Sequence, residues 1–534
     1  MKLPINLTIS VLTGAILGLS TLMCYASKDA GLTVATSQGN IQGFTFSGMR
    51  AFRGIPYAQP PVGSLRWKPP VPVRAWIKTF AATSFGHTCA THHNLGGFGK
   101  VSESEDCLYL NVYTPENKPA SGEHFPVMIW IHGGGLGTGS GDDYDASKLV
   151  RRNVVVVTFN YRLGLLGFFS NPAINAGSHP AVNYGTLDQQ AALKWVRDNI
   201  EAFGGDKHNV TLFGESAGGH SVMAQIASPR AKGLFNKAIV SSGAYSFIPP
   251  TLAEANNLSE KLVKATQCNG ESGRRLANCL RALPIDVILD KGVNYLPIAQ
   301  VVTDGDVIPT SFTEAFTTGN FNRVPVINGF NSDEGTFFAG MTELMTGRKI
   351  SLEDYQAGLM AIMGDERGKK LLHHHEAVLK NDKPVNLGAD YASFLGRAKF
   401  ICSVPLSSDM LSKYVPVYTY EFADKKAHIM LAPVSFPYGA SHTAELQYIF
   451  KDFHGVTGSV GKFDEAREAL SDEMVAYWTN FAKTSNPNGA ELPLWTVYKP
   501  QQGNTIKLVP GKTEMENKVA EKYRCDELRD IMTN

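Results

Sequence analysis

The pentapeptide Gly214-Glu215-Ser216-Ala217-Gly218 constrains this chain more than any other segment. It follows a short apolar run, Val210-Thr211-Leu212-Phe213, and precedes a helix-compatible stretch over residues 219–226. A strand, a Gly-x-Ser-x-Gly turn and a helix in that order make the chain turn sharply at the serine. Glycines on either side remove side chains that would collide in so tight a turn. The Ser216 hydroxyl is lifted above the strand ends, where it is a candidate nucleophile. The surrounding pattern predicts an α/β-hydrolase fold, a central, mostly parallel twisted sheet flanked by helices. Strands are predicted at 127–131, 154–159, 210–213, 238–240, 324–329 and 417–422. Residues 187–200 have helical spacing, with Leu193 and Val196 on one face, and 464–483 read as a late amphipathic helix. Residues 250–320 and 340–410 read as helical and irregular, with no repeat and no linker between independent units.

Composition narrows the partners. The 534 residues carry a formal net charge of +1, and hydrophobic residues make up 43%. That balance argues against nucleic acid or an anionic membrane as the main partner. The first residues read as a targeting signal. Lys2 precedes a largely apolar run over 5–23, and Cys24-Tyr25-Ala26 places small residues around a cut after Ala26. We therefore expect a signal peptide at 1–26, a single domain at 27–534, export to the periplasm or medium, and no later membrane span. Whether the chain is instead lipid-anchored stays open. Six cysteines remain after the cut. An even number in an exported chain points to disulfides, of 15 possible pairings. Sequence neighbours favour Cys89–Cys107 and Cys268–Cys279, which leaves Cys402–Cys525.

An activated serine needs a base, a group that orients the base, and donors for the oxyanion. His132-Gly133-Gly134-Gly135 follows an apolar strand directly and has the form of an oxyanion loop. A phosphate-binding glycine loop is excluded, since no lysine follows as in a P-loop. For the base, the order serine, acid, histidine favours His442, on a loop after the 417–422 strand. His208 and His220 lie too near Ser216 for that order. His373-His374-His375 reads as a solvated helix face, because adjacent helical positions point in different directions. The acid falls in Asn331-Ser332-Asp333-Glu334-Gly335, after the 324–329 strand. Spacing leaves Asp333 and Glu334 equal. No cofactor or metal is called for.

These residues carry a family resemblance. The run from Phe203-Gly204-Gly205-Asp206 to Gly218 resembles the serine signature of the type-B carboxylesterase/cholinesterase family. Glu105-Asp106-Cys107-Leu108-Tyr109-Leu110-Asn111-Val112 resembles its second signature, and Phe52-Arg53-Gly54-Ile55-Pro56-Tyr57-Ala58 is similar to a third typical segment. The resemblance implies Glu334 as the acid, Gly134, Gly135 and Ala217 as oxyanion donors, the three disulfide pairings above, and a supporting role for Ser242. It implies a hydrolase of carboxylic esters. The segment 442–446 reads as that of an exported bacterial member.

Departures matter too. The short loop between Cys89 and Cys107 holds no tryptophan, which cholinesterases use there to bind a quaternary ammonium. It is also too short and polar for the apolar lid of a lipase. Phe337 and Phe338 are expected to line the site. Amide, carbamate or polyester-type toxin substrates suit the same machinery. Family members that lack chemistry have usually lost a triad residue, and this chain has not. Oligomeric state is not readable from the sequence.

Overall fold

In a computed structural model the chain is described over residues 32–92, 100–175, 182–293, 300–363, 368–369, 386–429, 431–455, 458–459 and 461–529. The expected signal segment and His373-His374-His375 lie outside these residues.

An eleven-stranded sheet organises the molecule. Its strands in chain order are β1 (Phe44–Phe46), β2 (Met49–Pro56), β3 (Tyr109–Pro115), β4 (Phe125–Ile131), β5 (Val155–Phe159), β6 (Gly205–Glu215), β7 (Lys237–Ser241), β8 (Val326–Asn331), β9 (Val417–Phe422), β10 (Thr505–Leu508) and β11 (Glu514–Glu516). Across the sheet they run β11-β10-β9-β8-β7-β6-β4-β5-β3-β2-β1. From β4 through β10 every neighbouring pair is parallel, and both edges are finished by antiparallel strands. The predicted strands are all present; the elbow strand begins earlier than its apolar run, at Gly205. Polar residues at its start lie in a partly exposed stretch, so hydrophobicity alone did not reveal them.

Parallel strands buried on both faces need two cores. The period of two along β4 divides accordingly: Val127, Ile129 and Ile131 join one hydrophobic cluster, while Met128 and Trp130 join the other. On the first face lie α1 (Tyr184–Asn199), with Leu193 and Val196 buried, and α2 (Ala217–Ala227). The second is covered by α6 (Glu465–Thr484), which buries Leu470, Met474, Trp478 and Phe481. Each such side chain contributes roughly 1.5–3 kcal/mol of transfer free energy. Asp464 caps α6 by accepting from the Arg467 N–H, and Ser485 ends it in the left-handed conformation. Three further helices follow, α3 (Gly335–Thr346), α4 (Leu387–Gly396) and α5 (Ser403–Leu411), of which α3 and α4 line the site.

Strand order fixes where a site can form. β5 and β6 flank β4, so the connections leaving β4 and β6 diverge to opposite sides. Crevices in open α/β sheets lie at such switch points, beyond the carboxyl ends of the strands.

Disulfides join Cys89 to Cys107, Cys268 to Cys279 and Cys402 to Cys525. Cross-linking limits the unfolded chain more when the closed loop is longer. The Cys402–Cys525 bridge spans a separation of 123 residues, the Cys268–Cys279 bridge one of 11. Paired serine substitution at Cys402 and Cys525 is expected to lower unfolding free energy by about 2–5 kcal/mol. The loss should exceed that for the Cys268–Cys279 pair; equal losses in urea titrations would contradict the loop-entropy origin.

Candidate active site

Ser216 sits at the switch point, between the end of β6 and the start of α2. Its backbone has φ 55° and ψ −124°, which a residue with a Cβ rarely adopts. Two main-chain hydrogen bonds hold the turn: Ser216 N–H donates to Ser241 O (2.9 Å), and His220 N–H donates to Ser216 O (2.8 Å). The flanking glycines act by permitting close approach rather than by unusual φ. A Cβ on Gly218 would lie 2.0 Å from the Ile131 carbonyl oxygen.

The glycine loop faces this turn because β4 and β6 pair in parallel with Ile131 opposite Gly214. A Cβ on Gly133 would come within 3.2 Å of Ser216 Cβ, so the two loops touch. Gly134 and Gly135 have φ 101° and 63°, the region that favours glycine. His132 anchors the loop from below: fully buried, it stacks on Tyr161 at 4.4 Å, and its Nδ1 lies 2.8 Å from Gly133 O. Burial pulls its imidazole down to about 4, so it stays neutral.

His442 is 2% exposed on the loop after β9, and its Nδ1 lies 2.6 Å from Glu334 Oε2. Glu334 is fully buried between β8 and α3. Its other oxygen accepts from the Asn331 N–H (2.8 Å) and from the Ser242 hydroxyl (2.5 Å). Asp333 turns away: it takes the Lys425 ammonium at 2.6 Å and the Ala440 N–H at 2.8 Å. Spacing left these two acids equal; one residue of offset at the start of α3 sends them to opposite sides. Phe338 and Phe400 pack on the imidazole at 5.0 and 4.7 Å, with Phe337 at 6.0 Å.

Two acids at this centre were not singled out from sequence. Glu215 Oε1 lies 3.2 Å from His442 Nε2. Burial, and then the Glu334 charge, push its carboxyl well above the ordinary glutamate value. Glu445 accepts from the Asn331 amide, and burial with the charges of Glu215 and Glu334 pushes it up to about 8. Glu215 stood inside the elbow motif, yet nothing in a single sequence says that the side chain preceding the serine turns toward the histidine. His220 is buried, stacked on Tyr245 at 4.7 Å and pulled down to about 4 by desolvation; His208 is exposed. A cavity of about 420 Å³ opens above Ser216, lined by Gly133, Gly134, Gly135, His442, Phe337 and Phe338 among others. Among the described residues no group of three His, Cys, Asp or Glu is placed to hold a metal ion, and no helix is long and apolar enough to cross a membrane.

Two expectations follow. Gly218→Ala should abolish reactivity of Ser216 toward a fluorophosphonate probe, since backbone must move to clear Ile131; retained labelling would contradict the close approach. For Glu445, the folded state holds a proton that the unfolded chain, with a value of 4.5, releases earlier. Its contribution to stability is full below about 4.5 and is lost as pH rises through about 8. Glu445→Gln should therefore flatten the fall in urea midpoint across that window; an unchanged slope would count against it.

Comparisons with known proteins show the family. The carboxylesterase family profile matches residues 30–526. Human cocaine esterase is 35% identical over 481 residues, covering 85% of this chain and 83% of that protein. Fumonisin B1 esterase of Sphingopyxis macrogoltabida is 34% identical over 485 residues, covering 88% and 85%. Among solved structures, a PNB esterase superposes with a TM-score of 0.77 at 32% identity, covering 93% of this chain and 100% of that one. A thermophilic PNB esterase gives 0.78 at 31%, with 93% and 100% covered. The chain belongs to the carboxylesterase family and is a serine hydrolase of carboxylic esters.

Proposed function

We propose that Ser216, Glu334 and His442 form the catalytic triad of an exported esterase. The 2.6 Å contact between His442 Nδ1 and a fully buried Glu334 carries the reading. It fixes the proton on Nδ1 and leaves Nε2, among the described residues, without a hydrogen-bond partner. In this reading Nε2 takes the Ser216 proton as Oγ attacks the ester carbonyl. Glu334 balances the imidazolium. The oxyanion settles on the N–H groups of Gly134, Gly135 and Ala217. His442 then protonates the leaving alcohol, and water hydrolyses the acyl-enzyme by the same route. Glu215, held toward its neutral form, adds little negative charge beside Nε2.

Export is supported by the apolar start of the chain and by three disulfides, which persist in oxidising compartments. The bacterial origin rests on the 442–446 segment alone, since the relatives include both mammalian and bacterial proteins.

Ser216→Ala should reduce kcat on a p-nitrophenyl ester by about 10⁴- to 10⁶-fold while circular dichroism stays unchanged. Undiminished turnover by the folded variant would end the proposal.

A further inference from the structure

The cavity above Ser216 carries one cation that ester hydrolysis does not use. Lys399 lines it, on a π-helical turn, Arg397–Ile401, between α4 and α5. Such turns are rare and recur at functional sites, where the extra residue re-aims its neighbours. This one is pinned from behind. Arg397 donates to the carbonyls of Tyr523 (2.7 Å) and Arg524 (3.1 Å) and pairs with Glu527 (2.9 Å), and Cys402 is bonded to Cys525. The next residue after Lys399 is Phe400, whose ring packs on His442. The turn therefore sets Lys399 one position from a residue in contact with the proposed base.

Nothing among the described residues neutralises this ammonium. Among the described residues no carboxylate pairs with it, and burial alone draws it below the ordinary lysine value. Leu395, Phe338, Phe400 and Tyr245 share its cavity wall. A cation in such surroundings costs stability unless a counter-charge arrives. Of the acids on the same lining, Glu215 is held toward its neutral form and Asp143 has a contact of its own. Among the described residues no arginine lines the cavity. One compact monovalent charge suits a single carboxylate better than a phosphate dianion, which forked arginines serve.

We propose that Lys399 is a specificity-determining residue that binds a free carboxylate on the substrate, so that this cavity selects esters bearing a second, anionic group. The inference rests on the Ser216 reaction proposed above. The substrate carboxylate takes a charge-assisted hydrogen bond from Nζ while the ester carbonyl meets Ser216, and the bonds made and broken are those of that reaction.

Two matched pairs of esters test it. Monomethyl glutarate against methyl valerate places the charge on the acid side; butyryl glycolate against ethyl butyrate places it on the alcohol side. In at least one pair the wild-type ratio of kcat/KM, anionic over neutral, should fall about 10- to 100-fold in Lys399→Met. Lys399→Arg, which keeps the charge, should restore most of it. Equal ratios in wild type and Lys399→Met for both pairs would overturn the assignment while leaving the Ser216 reaction intact. So would a wild-type preference for the neutral ester in both pairs, whatever the variants do. Failure of the wild type to turn over any of the four esters would overturn both.

Discussion

Parallel pairing of β4 with β6 is the constraint on which the site depends. With Ile131 opposite Gly214, the strands end level, and the loops leaving them meet at Gly133 and Ser216. The strained turn at Ser216 survives because both strands are locked into a sheet buried on two faces. Local strain of about 1–3 kcal/mol persists only where the surroundings over-determine it. Here the Ser241 carbonyl, the Ile131 carbonyl and the first turn of α2 leave the serine no other path.

Charge is the second organising feature. Glu215, Glu334 and Glu445 are buried around one histidine, and no lysine or arginine pairs with any of them among the described residues. Three ionised carboxylates could not coexist in that volume. The structure resolves the conflict by hydrogen bonding. Glu334 receives a backbone N–H, the Ser242 hydroxyl and the imidazole. Its neighbours Glu215 and Glu445 are pushed toward their neutral forms by burial and by its charge. One carboxylate hydrogen-bonded to one imidazole is what the proposed proton transfer requires, and the upward push on the other two lessens their competition for it.

Much of this was legible in the residues. The elbow, the glycine loop and the parallel strands announce themselves because each depends on local chemistry: a tight turn needs glycine, and a doubly buried strand needs an unbroken apolar run. Spacing alone left the acid as a pair, Asp333 or Glu334, since sequence position says nothing of which way a side chain leaves the first turn of a helix; the family resemblance pointed to Glu334. Glu215, Glu445, Phe400 and Lys399 were missed for a related reason. Each comes from a different element, and only packing brings them to the same imidazole or cavity.

By itself the sequence determined the sheet, the serine elbow, the ester-hydrolysing chemistry and the family, because these rest on short-range patterns with strict steric demands. Tertiary structure decided the rest. It set Glu334 against His442 and turned Asp333 to Lys425, surrounded the imidazole with aromatic rings and two acids pushed toward their neutral forms, and left Lys399 in the cavity without a carboxylate partner among the described residues. Those features arise where segments far apart in the chain are pressed together, and the energies that set them, desolvation and close electrostatics, exist only once water has been excluded from between them.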